Sequence, residues 1–232
     1  MIEVRRAEDR GNTRTDWLDS HHTFSFADYY DVRYHQFRTL RVFNEDFVKP
    51  GKGFGKHFHR DMEILSYVLE GSLAHRDSSG GDGVIRPGEW QRMSAGSGIS
   101  HSEYNGSQDE QVHFLQIWIL PNRKGIPPGY EQKEFPASAK TDQWRIVASP
   151  EGENASLVIH QDAKVYNTVL SKGAFLSHEL KARRFAWIQI VRGEVRVNGC
   201  SLKSSDGAAI GSEPEVKVQA VKESEIILFD LA

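Results

Sequence analysis

The sequence predicts an all-β protein built from two consecutive sandwich or barrel domains, and three observations predict it. Short apolar runs recur between Gly-rich turns along most of the chain, the pattern of many brief strands. Helical signals are few and short, confined to TRTDWLD at 13–19 and DQWRIVA at 142–148. The stretch PNRKGIPPGYEQKEFPASAKTD holds four of the eight prolines and no sustained periodicity. It reads as a linker or a surface strap centred on residues 121–140. The segments on either side, of about 120 and 95 residues, are each long enough for one small β-domain.

Taken in order, ILSYVLEGSLAHRDS reads as two strands meeting at Glu70-Gly71, with SSGGDG following as a tight turn. VHFLQIWILP carries Leu115, Ile117 and Ile119 on one face and Phe114 and Trp118 on the other. Apolar residues on both faces mark a strand covered by two layers. AWIQIVRGEVRVNG repeats the strand, turn, strand style around Arg192-Gly193, and VKVQAVKESEIILFDL closes the chain with two more strands. Placing VRGEVRVNG over VLEGSLAHR aligns Gly193 with Gly71 and Gly173 with Gly51 at an offset of 122 residues. This is a faint internal repeat.

Composition narrows the function classes. Lys plus Arg number 29 against 32 Asp plus Glu, a net charge of −3, which argues against a protein that binds nucleic-acid phosphates in bulk. No segment reaches the roughly 18 apolar residues of a membrane span, and the charged MIEVRRAEDRGNTRTDW lacks the apolar core of a secretory leader. The one cysteine, Cys200, cannot form an internal disulfide and has no nearby His pattern to activate it. The expectation is a cytoplasmic protein, monomeric by default, with any metal held by imidazole and carboxylate.

The histidines are uneven, eight in residues 1–116 and two after. GKGFGKHFHRDMEILSYVLEG contains His57, His59 and Glu63, and GSGISHSEYNGS contains His101 and Glu103. Residues i and i+2 share a face of a strand, so His57 with His59, and His101 with Glu103, can point into one interior. Two such strands side by side offer a ligand set for a divalent ion, with Fe, Zn, Co, Ni, Cu and Mn all compatible. Either Glu63 or Glu103 could supply the carboxylate. The spacing from Gly51 through His57, His59 and Glu63 to Gly71 resembles the first cupin motif. Gly98, His101 and Asn105 match the end of the second. Two departures are Gly96 where that motif has proline, and one extra residue between Glu63 and Gly71.

With SHHTFSFADYYD at 20–31 and FLQIWILP at 114–121 added, the chain resembles the pirin family over essentially its whole length. The resemblance implies a bicupin, two consecutive jelly-roll barrels with few short helices, here divided as residues 1–135 and 136–232. It implies one metal, in the N-terminal barrel only, on His57, His59, His101 and Glu103, which favours Glu103 over Glu63 and leaves Glu63, Arg60 and Asp61 as bracing residues. At the offset of 122, His57 and His59 fall over Glu179 and Lys181, so a metal-free C-terminal barrel is expected.

The activity implied is a quercetin 2,3-dioxygenase, opening the flavonol ring with O2 and releasing carbon monoxide. Glu103 is its expected general base, and Phe24, Phe26, Phe54 and Phe58 are candidates to line the pocket. Substrate and O2 are the only partners expected, with neither nucleic acid nor membrane. Two alternatives stand beside it: a metal-binding regulatory protein that contacts a transcription factor without turnover, and a cupin enzyme for another small molecule. His21 and His22 could approach the pocket, with capping or packing the favoured reading, and His75 and His113 are read as hydrogen-bonded within the fold.

Overall fold

The computed structural model describes residues 1–232, nearly all of them in strands and loops. The only helical elements are four 3₁₀ turns of three residues each. The two short helical signals are not realised: 13–19 spans the turn between strands Gly11–Arg14 and Leu18–His22, and Arg145–Ser149 is a strand. The physical reason is burial. Ile146, Val147 and Ala148 are all covered, and pairing with Ala163–Leu170 satisfies the backbone that a lone helical turn would leave half unpaired.

The chain divides into two compact units, residues 11–134 with 157–161, and residues 1–10, 135–156 and 162–232. In the first, a seven-stranded sheet runs Gly129–Glu134, Glu89–Ser94, Glu63–Glu70, Val112–Ile119, Leu40–Val48, Leu18–His22, Gly11–Arg14. A four-stranded sheet runs Gly53–His59, Ile99–Asn105, Leu73–Asp77, Asp82–Ile85. Val112–Ile119 lies between Leu40–Val48 and Glu63–Glu70, which is why both of its faces are apolar. One end of the space between the sheets is packed by Val48, Val68, Leu73, Ile85, Val112 and Phe114; the other end is where the histidines lie.

The proline-rich stretch is more ordered than a linker. Its Gly129–Glu134 pairs antiparallel with Glu89–Ser94 as the edge strand of the larger sheet. GYEQKE hides its strand character because an edge strand whose residues are only partly covered needs no strict apolar alternation.

The second unit has the same plan. Its larger sheet includes, in order, Ile2–Arg5, Gly207–Ile210, Phe185–Arg192, Ser224–Leu231, Ala163–Leu170 and Arg145–Ser149. Its smaller sheet runs Phe175–Glu179, Glu215–Ala220, Glu194–Val197, Cys200–Lys203. Adding 122 to Glu63–Glu70 gives Phe185–Arg192, the strand in the equivalent place. The faint repeat is therefore a repeat of topology. The interior differs: Val195, Val197, Leu202, Val216 and Val218 of the smaller sheet pack against Ile188, Ile190 and Leu228 of the larger.

Candidate metal centre

Three adjacent strands of the first unit build the site. Ile99–Asn105 is central, with His101 opposite His57 on one side and Asp77 on the other, and Glu103 opposite Phe54 and His75. A register shift between His101 and Glu103 marks a bulge, a device that re-aims side chains. Burial follows the alternation: Ile99, His101, Glu103 and Asn105 face inward, and Phe58 between His57 and His59 is 62% exposed.

Two glycines make this close pairing possible. A Cβ on Gly53 would lie 2.3 Å from the Glu103 carbonyl oxygen, and Gly98, at φ +142°, leaves room for the Phe58 ring. Asn105 then ties the strand end down by donating to the carbonyls of Val48 and Glu110 at 3.0 and 2.7 Å.

The rings of His57, His59 and His101 converge, with centroids 4.4 to 4.9 Å apart, and their nitrogens form a group able to hold a metal ion. His101 and Glu103 form a second such group with His75. His57 Nδ1 donates to the Gly55 carbonyl at 2.8 Å, since a carbonyl can only accept, and this leaves the Nε2 lone pair for a ligand. His101 is 1% exposed, and its Nε2 has no hydrogen-bond partner. A buried imidazole nitrogen with no partner, set among two other imidazoles, is suited to bind a cation. The donor set therefore fits a single divalent ion.

Electrostatics favour the neutral, ligating form of His59 and His101. Burial, with the neighbouring His101 and His57, lowers His59 to about 4. Burial, with His57 and His75, lowers His101 to about 3. Glu103 accepts from Gln116 Nε2 at 2.8 Å and Ser66 Oγ at 3.2 Å. Behind His101, His75 Nδ1 lies 3.4 Å from His101 Nδ1, and His75 Nε2 is 2.9 Å from Asp77. Burial works against the Asp77 charge, yet hydrogen bonds from His75, Ser79 and Gly81 hold its carboxyl below the usual range.

The other carboxylate lies elsewhere. Glu63 is fully buried and bonds to Ser94 Oγ at 2.8 Å and His160 Nδ1 at 3.3 Å, away from the three-histidine group. Burial raises its pKa, and Ser94 and His160 pull it back. Asp61 accepts from the Gly125 amide, and Arg60 lies beside Asp61, so both shape the neighbouring loops.

A small cavity of about 190 Å³, open to solvent on one side, adjoins the histidines. One wall is apolar, from Leu18, Phe26, Phe54, Ile64 and Trp118. Phe26 and Trp118 meet edge to face at 5.4 Å, and Trp118 packs on His59 at 4.9 Å. Of the four candidate phenylalanines, Phe24 is core and Phe58 faces outward.

The remaining wall is polar, and the sequence offered His22 for it but neither Asn44 nor Asp46. His22 bonds to Thr13 at 2.8 Å and Asn44 at 3.0 Å, and Ser20 donates to Asp46. Burial pushes Asp46 up to about 7 against the pull of Ser20, with Glu103 and Glu45 adding to the rise. The alternation of SHH with NED on neighbouring strands, His22 beside Asn44 and Ser20 beside Asp46, is the one signal that could have found it. His21 points to Asp19, and His113 bonds to Glu45 and stacks on Phe47.

Comparison with known proteins agrees with this geometry. The family model described as Pirin matches residues 3–119, and that of the quercetinase C-terminal cupin domain matches residues 146–231. A protein named quercetin 2,3-dioxygenase from Escherichia coli (strain K12) is 48% identical over 100% of this chain and 99% of its own length. The crystal structure of YhhW from Escherichia coli superposes with a TM-score of 0.97 at 47% identity, covering 100% and 98% of the two chains. That of the bacterial pirin YhhW in complex with nickel(II) gives 0.95 at 47% identity, covering 100% and 99%.

Proposed function

The chain belongs to the pirin family, and from that premise we propose that it is a metal-dependent dioxygenase that opens the ring of quercetin or a related flavonol with O2 and releases carbon monoxide. The observation that carries this reading is the three-histidine group lining a largely apolar cavity. His57, His59, His101 and Glu103 hold the ion, one per chain, and the N-terminal barrel is the catalytic domain. A donor set of three imidazoles and one carboxylate accepts several divalent ions, and nickel(II) is the one bound in the related Escherichia coli protein.

A divalent ion bound there supplies positive charge that acidifies a nearby hydroxyl and a route for electrons to O2. The protein's own groups do the rest. Trp118, Phe26 and Phe54 take the planar rings and keep water from them. Glu103 receives the proton of the flavonol 3-hydroxyl on a carboxylate oxygen, while Gln116 and Ser66 hold that carboxylate in place. Asn44, His22 and Asp46 offer hydrogen bonds to the remaining hydroxyls.

A regulatory protein without turnover would need the ion but not a cavity beside it, so the enzyme reading is preferred. In this reading the chain works as a monomer in the cytoplasm, and its partners are the flavonol and O2. The test is to load metal-free protein separately with Fe, Co, Ni, Cu, Zn and Mn, then follow quercetin absorbance and headspace carbon monoxide. At least one ion should support stoichiometric release. Quercetin left intact with every ion would overturn the assignment, and consumption without carbon monoxide would place the cleavage elsewhere in the ring.

A further inference from the structure

Behind His101 lie, in a row, the buried side chains of His75 and Asp77, which the proposed chemistry does not use. The side chains of His75 and Asp77 have no exposed surface. Tyr130, on the edge strand Gly129–Glu134, stacks on His75 at 4.9 Å with planes 26° apart. That ring covers one face of the His75 imidazole, whose plane is tilted 52° from that of His101.

The hydrogens in this row can be placed by donor and acceptor logic. Asp77 Oδ1 already accepts from Ser79 N, Ser79 Oγ and Gly81 N at 2.7, 2.7 and 3.0 Å, so the carboxylate is a pure acceptor. Its Oδ2, 2.9 Å from His75 Nε2, therefore requires a hydrogen on that nitrogen. His75 Nδ1 is then left with a lone pair, which faces His101 Nδ1 at 3.4 Å. His101 must carry its hydrogen on Nδ1, and its Nε2, the unpartnered atom, keeps a free lone pair.

We propose that Asp77 and His75 are positioning residues that lock His101 in the tautomer able to bind a cation through Nε2. The inference rests on the ligand assignment proposed above. It makes His75 a hydrogen-bond acceptor to a ligand, and not itself a ligand, although His75, His101 and Glu103 lie close enough to form a group of their own. Carboxylate–imidazole support of this kind sets ring orientation and ligand basicity, and its loss typically costs 10- to 100-fold in metal affinity.

Asp77→Asn is the informative variant. Its oxygen stays with the three donors from Ser79 and Gly81, so the amide nitrogen turns toward His75 and donates where the carboxylate accepted. The row reverses, and His101 Nε2 acquires the hydrogen. Nickel(II) titration of metal-free protein should show binding weaker by roughly 10- to 100-fold, with the thermal midpoint of the metal-free protein little changed.

Histidine ¹⁵N spectra of the unsubstituted metal-free protein read the same claim without any variant. They should place hydrogen on Nδ1 of His101 and on Nε2 of His75. An Nε2-protonated His101, or unchanged nickel(II) affinity in Asp77→Asn, overturns the inference. Failure of the ligand assignment itself looks different, because His57→Ala would then bind nickel(II) as the unsubstituted protein does.

Discussion

Gln116 Nε2 donates to Glu103 Oε2 at 2.8 Å, from the centre of the larger sheet to the smaller one. A neutral donor in that place fixes the direction of the carboxylate without competing for its charge. Gln116→Leu keeps much of the volume and removes the donor, so Glu103 gains freedom to turn from the histidines. Metal retention against a chelator should fall about 10-fold or more, while a nearby apolar change such as Ile64→Val leaves it intact.

The two buried carboxylates should behave oppositely. Glu103 shares the cavity with the histidines, and Glu63 is tied to Ser94 and His160. Glu103→Gln should lose metal and turnover together. Glu63→Gln should keep one metal per chain, since an amide oxygen can still accept from Ser94. Elemental analysis of the two purified variants decides between them.

The pH dependence of metal-free stability has a defined sign. His59 and His101 sit at about 4 and about 3 when folded, against about 6.5 unfolded. Between pH 4 and 6.5 the unfolded chain therefore binds more protons at these sites, and stability falls as pH drops through that window. Asp46, raised to about 7 from the ordinary 3.8, stays protonated when folded and is ionised when unfolded between those two values, so it acts in the opposite direction. Asp46→Asn mimics the protonated form and removes that opposition. Urea denaturation at pH 4 to 6.5 should show a steeper acid loss in Asp46→Asn than in the unsubstituted chain.

Gly53→Ala probes the strand pairing that brings the histidines together. The added Cβ would lie 2.3 Å from the Glu103 carbonyl oxygen and 2.5 Å from Tyr104 Cα. Backbone cannot yield as a side-chain tip can, so the strand carrying His57 and His59 must move off its neighbour. The expected cost is about 1–3 kcal/mol in chemical denaturation, with weakened metal binding.

Much of the fold was legible because it rests on local signals. Alternation in ISHSEYN, turns at Gly71 and Gly193, and the i, i+2 spacing of His57 and His59 all survive without tertiary context. Two things were hidden. Gly129–Glu134 lacks an apolar face because it lies at a sheet edge. The wall of His22, Asn44 and Asp46 comes from strands far from the histidine motifs in sequence, and only the pairing of Leu18–His22 with Leu40–Val48 assembles it. His75 was read as a fold residue and does hydrogen-bond within the fold, to Asp77 and to His101.

The most direct test of the central claim is an anomalous difference map from crystals of nickel-loaded protein, collected on both sides of the nickel edge. One peak per chain is expected, within bonding distance of His57, His59, His101 and Glu103, and none in the C-terminal unit, where Val216 and Val218 occupy the interior. A peak beside Glu63 and His160, or a second peak in the C-terminal unit, would contradict the account.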